Sequence, residues 1–109
     1  MMNPFEIFTA YISWGYDGKS RPVLVYIQNN GKVGVYLITT QYDGKSELIR
    51  EKYFEITDGE YSGLRKLSYV DTGTLIKLDI TAFNNKKLIG KLSNADIMRF
   101  LEFLKGYTE

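Results

Sequence analysis

Residues Lys19–Gln41, KSRPVLVYIQNNGKVGVYLITTQ, constrain this chain more than any other stretch. Two runs rich in β-branched residues flank Asn29-Asn30-Gly31, the composition of a β-hairpin closed by a short turn. With all three residues in the loop and Gly31 left-handed, paired positions have numbers that sum to sixty. Ile27 then faces Val33, Val25 faces Val35, Val23 faces Leu37 and Arg21 faces Thr39. A two-residue Asn30-Gly31 turn would instead oppose Ile27 to Gly34 and Arg21 to Thr40, a less consistent face. The first register is expected here. It ends an aliphatic stripe with a guanidinium beside a hydroxyl, an arrangement suited to an anion.

A chain of 109 residues has the length of one domain with its own core. Nine tyrosines fit a β-rich fold, where aromatic rings pack on pleated surfaces. The absence of cysteine excludes disulfides and thiolate metal sites. The absence of histidine removes the usual zinc ligands, the histidine-dependent triads and the commonest general base. A net charge of +1 excludes a uniformly basic nucleic-acid binder but allows a local basic surface. The opening MMNPFEIF has no signal-peptide pattern, and no apolar run has membrane-spanning length, so a cytoplasmic protein without a membrane partner is expected.

Further strands are expected over Phe5–Trp14, Leu64–Val70, Thr74–Leu78 and Leu88–Leu92, with Asp71-Thr72-Gly73 as a tight turn. Ser46–Ile56 reads as helical at its start and as a short strand from Tyr53 to Ile56. Thr57–Gly63 reads as a loop, and Thr81–Lys87 as a polar connection. The pentapeptide YDGKS occurs twice, at Tyr16–Ser20 and Tyr42–Ser46. Neither copy is a phosphate loop, because Ser13 and Thr39 stand where that motif needs glycine. Both copies read as Asp-Gly turns that place Lys19 and Lys45 near the open end of the hairpin. Ser93 is a helix cap with Asp96 three residues on, and Ile97, Phe100, Leu101 and Leu104 follow helical spacing up to Gly106. Met98 and Phe103 widen the apolar face, as either an oligomer contact or ordinary packing would require. Short strands plus one closing helix predict a mainly β fold, a small curled or closed barrel.

Four blocks occur in the order found in the MazF/PemK-like toxins of type II toxin–antitoxin pairs. They are Lys19–Val25, Ile38–Gln41, Ser68–Asp71 and Ile89–Ser93. The chain resembles that family from Tyr11 through Leu104. The resemblance implies an SH3-like barrel of the MazF/PemK/CcdB type, a homodimer, and metal-independent, sequence-selective cleavage of single-stranded RNA without a cofactor. It also implies inhibition by a cognate antitoxin whose tail lies in the RNA groove. By position, Arg21 matches the arginine that opens the second strand, and Thr39 matches the hydroxyl residue that closes the third. Many members carry an Arg-Thr-Ile-Asp run where this chain has Thr74-Leu75-Ile76-Lys77, so that arginine and second acid are absent.

Metal-free cleavage uses the 2′-hydroxyl as nucleophile and requires stabilisation of the phosphoryl oxygens. Arg21 and Thr39 are the candidate catalytic residues, with Asp71 and Thr40 as further catalytic or site-shaping candidates. Lys19, Lys45, Tyr16 and Gln41 are candidate RNA contacts, flanked by Trp14 and Tyr42. Each also has an ordinary structural reading as a rim ion-pair partner, strand former, turn residue or solvated side chain. Two other functions fit the same architecture: a non-catalytic binding module for protein or RNA, and a gyrase-inhibiting toxin of similar fold.

Overall fold

The computed structural model describes residues 2–83 and 87–108, with the side chains of 107 and 108 excepted. Six strands form one antiparallel sheet: β1 (Glu6–Trp14), β2 (Asp17–Asn29), β3 (Lys32–Thr39), β4 (Tyr53–Glu55), β5 (Tyr69–Asp79) and β6 (Leu88–Lys91). Their spatial order is β4-β5-β3-β2-β1-β6. Two single-turn helices, α1 (Glu47–Arg50) and α2 (Gly59–Ser62), flank β4, and α3 (Asn94–Thr108) closes the fold. A 3₁₀ turn at Ile80–Phe83 occupies the start of the expected polar connection, whose residues 84–86 lie outside the described residues.

The sheet is curled but not a closed barrel, and β4 and β6 are its edges. Phe54 and Ile56, from the β4 side, share a core with Ile7 and Leu92, from the β6 side. The backbones of Ser62-Gly63 and Ile89-Gly90 touch, so closely that a Cβ on Gly63 or Gly90 would collide with the opposite carbonyl. The edges are thus linked through α2 rather than by strand hydrogen bonds.

The central hairpin combines both registers considered from sequence. Asn30 (φ 52°) and Gly31 (φ 79°) are both left-handed, as a two-residue type I′ turn requires. Near the turn Ile27 therefore pairs with Gly34, and Ile27 is exposed. A bulge between Val25 and Ile27 then restores the expected pairs Val25–Val35 and Val23–Leu37. The turn's twist sets the first register, and burial of the valines sets the second. The β1–β2 reversal is also displaced from expectation. Gly15 (φ 58°) and Tyr16 make the turn, while Asp17-Gly18-Lys19-Ser20 lies in β2 opposite Tyr11–Trp14. Only the second YDGKS is a turn, with Gly44 at φ 88° and the Lys45 N–H donating to the Tyr42 carbonyl.

The expected reversal at Asp71-Thr72-Gly73 is instead a kink within β5. Both flanks pair with β3, through Val35–Ile76 and Leu37–Asp71, so β5 advances five residues while β3 advances two. Thr72 donates from its N–H and its hydroxyl to the Lys52 carbonyl (2.9 and 2.6 Å). Residues 64–67 do not extend the strand; Gly63 closes α2 in the left-handed conformation, and β5 starts only at Tyr69. The helix-then-strand reading of Ser46–Ile56 is borne out by α1, capped by Ser46, followed by β4.

One face of the sheet packs under α3, where Phe100 meets Phe54 at 5.1 Å and Tyr36 at 5.9 Å between ring centroids. Phe103 joins this core through Phe54, whereas Met98 and Leu101 are exposed. Ser93 Oγ accepts from the Asp96 N–H as expected of the cap, but Gly106 lies inside α3 and does not end it. The other face carries Ala10, Ile12, Val23, Val25, Val33 and Val35 with Phe83. Among the described residues no helix is long and apolar enough to cross a membrane.

Candidate functional site

Directly paired residues of an antiparallel sheet point to the same side. The pairs Phe8–Val23, Val23–Leu37, Leu37–Asp71 and Asp71–Tyr53 therefore form one row across the face not covered by α3. Two residues further along each strand lies a second row: Ala10 paired with Arg21, and Thr39 paired with Tyr69, which pairs with Glu55. The β2–β3 pairing ends at Val23–Leu37, so Arg21 and Thr39 stand one step beyond it, on neighbouring strands and on the same face. The sequence places both residues there through the aliphatic alternation of Val23-x-Val25 and Val35-x-Leu37. The tertiary fold adds Tyr69, Glu55, Asp71 and Tyr53, which come from segments distant in sequence.

Arg21 is half-buried, with its guanidinium carbon 5.8 Å from the centre of the Trp14 ring. Among the described residues it has no carboxylate or hydrogen-bond partner. A guanidinium held against a ring, with its donors unspent, is disposed to take an anion. The Gln41 N–H donates to Thr39 Oγ1 at 3.0 Å, which leaves the threonine hydroxyl hydrogen available to a ligand. Thr40 and Gln41 follow as exposed residues. Lys19 shares the Arg21 face and is exposed, while Tyr16 is fully exposed at the tip of the β1–β2 turn.

Asp71 lies diagonally from Thr39, roughly 7–8 Å away by ordinary sheet geometry. That separation leaves space for a phosphate between them. Its Oδ1 accepts from the Gly73 N–H at 2.9 Å, so the expected turn-stabilising role is present within the kink of β5. Asp71 also lines a cavity of about 370 Å³ with Lys45, Lys52 and Tyr53. Lys45 thus joins the Asp71 side of the face, whereas Lys19 and Tyr16 belong to the Arg21 side.

Three tyrosines that the sequence spacing does not bring together lie beside these residues. Tyr42 stacks on Tyr69 (4.4 Å between centroids, 17° between planes), and Tyr53 lies 6.3 Å from both. The Arg50 guanidinium sits 5.5 Å from the Tyr42 ring centre. Burial, then the nearby charge of Asp71, raises the Tyr53 phenol above its ordinary pKa. Burial raises Tyr69 as well, aided by Glu55, Tyr42 and Asp43. The sequence signal for them was the tyrosine immediately preceding the Val70-Asp71 pair and the one opening the short strand after α1, but only their pairing reveals the cluster. Among the described residues no three metal-ligating side chains converge. No protein-family model and no curated protein matches the chain.

Proposed function

We propose that the chain is the toxin of a type II toxin–antitoxin pair and a sequence-selective endoribonuclease that cleaves single-stranded RNA by internal attack of the 2′-hydroxyl. The observation that carries this reading is Arg21: a half-buried guanidinium on an open sheet face, held against Trp14 with no carboxylate or hydrogen-bond partner among the described residues, one strand from an available threonine hydroxyl. The sequence resemblance to MazF/PemK-like toxins supports it independently at the same two residues. The finer fold assignment, an SH3-like small barrel, belongs to this proposal, with α2 bridging the gap between the edge strands.

In the proposed reaction the 2′-oxygen attacks the adjacent phosphorus, the bond to the 5′-oxygen breaks, that oxygen takes a proton from water, and a 2′,3′-cyclic phosphate and a 5′-hydroxyl result. Arg21 holds two phosphoryl oxygens and neutralises the charge that grows on them. Thr39 donates its hydroxyl hydrogen to the same phosphate. Asp71, diagonal to Thr39, has one carboxylate oxygen beyond the Gly73 contact with which to take the 2′-proton. Lys19 and Lys45 steer the backbone from opposite sides of this centre. A homodimer and an antitoxin tail in the RNA groove are parts of the same proposal.

The test compares the protein with Arg21→Ala on a long unstructured RNA in excess EDTA. The expected result is discrete cleavage with 5′-hydroxyl ends, falling by about 100- to 1000-fold in the variant. Equal cleavage by both proteins would move the site away from Arg21. RNA binding without cleavage would make the protein a binding module, and inhibition of gyrase supercoiling would place it with the gyrase-directed toxins.

A further inference from the structure

At the β4 edge, next to the proposed cleavage centre, is a cavity of about 580 Å³ lined by Tyr42, Tyr53, Phe54, Glu55, Tyr69, Arg99, Glu102 and Phe103. Its position follows from the sheet: Tyr53 lies on β4, two strands, about 10 Å, from the strand of Thr39 at the cleavage centre. A nucleotide flanking the cleaved phosphate can place its base at that distance. We infer that this cavity is the subsite for one unpaired base flanking the cleaved phosphodiester, with Tyr53 as the stacking platform and Glu55 as the selector of the base edge. The inference rests on the proposed ribonuclease reading and names the part of its substrate that the tyrosine cluster recognises.

Three features point to a base. Tyr69 is covered by the stacked Tyr42, while Tyr53 is half-buried, so its ring has surface left to offer. The tyrosine rings line the cavity and offer aromatic faces suited to stacking on a base. The polar rim is equally informative. Arg99 bonds the Asp96 carboxylate (2.8 Å) and the Glu55 carbonyl (3.4 Å) through Nη1 and lies 4.9 Å from the Phe54 ring centre, so its charge is balanced by Asp96. Glu102 is engaged with Lys105 at 3.3 Å. The Glu55 side chain makes no hydrogen bond or ion pair among the described residues, and as a carboxylate it only accepts. It therefore favours a base with an exocyclic amino group over uracil, whose edge offers a single N3–H donor flanked by two carbonyl oxygens that a carboxylate repels.

The test uses short single-stranded RNAs carrying a 2′-deoxy substitution at the cleaved position, which bind without turnover, alongside cleavage mapping of the unmodified RNAs. Tyr53→Leu should weaken binding roughly 5- to 100-fold, the range expected for loss of one base–aromatic stack. Glu55→Gln should weaken binding of RNAs that carry an amino-bearing base at one flanking position, and so reduce the preference for those bases over uracil there. Unchanged affinity and unchanged cleavage sites in folded Tyr53→Leu would overturn the subsite while the ribonuclease reading stood. Wild-type protein that neither binds nor cuts RNA would overturn the reading and the subsite together. If Tyr53→Leu weakened binding but Glu55→Gln left base preference intact, stacking would be upheld and the selecting role of Glu55 overturned.

Discussion

The two faces of the sheet are built from the same strands and end in opposite states. Under α3, rings close over one another and polar groups are satisfied inward. Buried Asp96 illustrates this: it accepts from the Thr57 hydroxyl (2.6 Å), the Thr57 and Asp58 N–H groups (3.1 and 3.0 Å) and Arg99 (2.8 Å). On the opposite face the aliphatic packing of Val23 and Val35 gives way to a guanidinium with no carboxylate or hydrogen-bond partner among the described residues, a hydroxyl whose hydrogen is unspent, and a tyrosine stack that reaches the cavity at the β4 edge. One face has used its interactions to hold the fold, and the other leaves several of them unspent among the described residues. Substitutions on the first should therefore cost stability, and those on the second should cost activity.

The largest expected effect tests the closed face. Phe100→Ala removes a fully buried ring that touches Phe5, Tyr26, Tyr36 and Phe54, and should cost about 3–5 kcal/mol in urea unfolding. Arg21→Ala should do the reverse. Its cleavage rate should fall by about 100- to 1000-fold while unfolding free energy changes by no more than about 0.5 kcal/mol. A large stability loss in Arg21→Ala would remove the contrast between the faces.

Asp96 sharpens the comparison through pH. Burial opposes its charged form, but the hydrogen bonds from Thr57, Asp58 and Arg99 outweigh burial and hold its carboxyl below the ordinary aspartate pKa of 3.8. The unfolded chain then binds the proton more readily than the folded one. The resulting stabilisation is fully present above the unfolded pKa, and it is lost as pH falls through the lower folded value. Asp96→Asn should cost about 2 kcal/mol at neutral pH through weakened charge-assisted bonds. It should also flatten the acid limb of stability measured by urea unfolding from neutral pH to pH 2. The smallest effect is expected at Thr39→Val, which keeps the shape of a β-branched strand end. Cleavage should fall by about tenfold, the lower end for loss of one hydrogen bond to a charged group, with stability nearly unchanged.

Much of the closed face was legible because its signals are local. Ser93 caps α3, Phe100 and Leu104 follow its period, and Ser46 starts α1 wherever the surrounding chain goes. Arg21 and Thr39 were placed on one face because alternation along the hairpin carries side-chain direction without knowledge of other strands. The tyrosine cluster was not legible as a unit. It depends on β5 lying between β3 and β4, and on Tyr42 turning back over Tyr69, which no spacing encodes.

The repeated YDGKS separates the two kinds of information. In its first copy Gly18 and Lys19 are strand residues paired with Ser13 and Ile12; in its second, Gly44 is left-handed and Ser46 caps a helix. Identical local preferences give different structures because Gly15 has already turned the chain before the first copy, while β3 ends just before the second. The sequence by itself determined a β-rich chain, the central hairpin, the terminal helix and the side-chain types available to a phosphate. Tertiary structure decided which register held, which copy of the repeat became a turn, and which tyrosines met. Those outcomes depend on burial and strand pairing between distant segments, whose energies no local window contains.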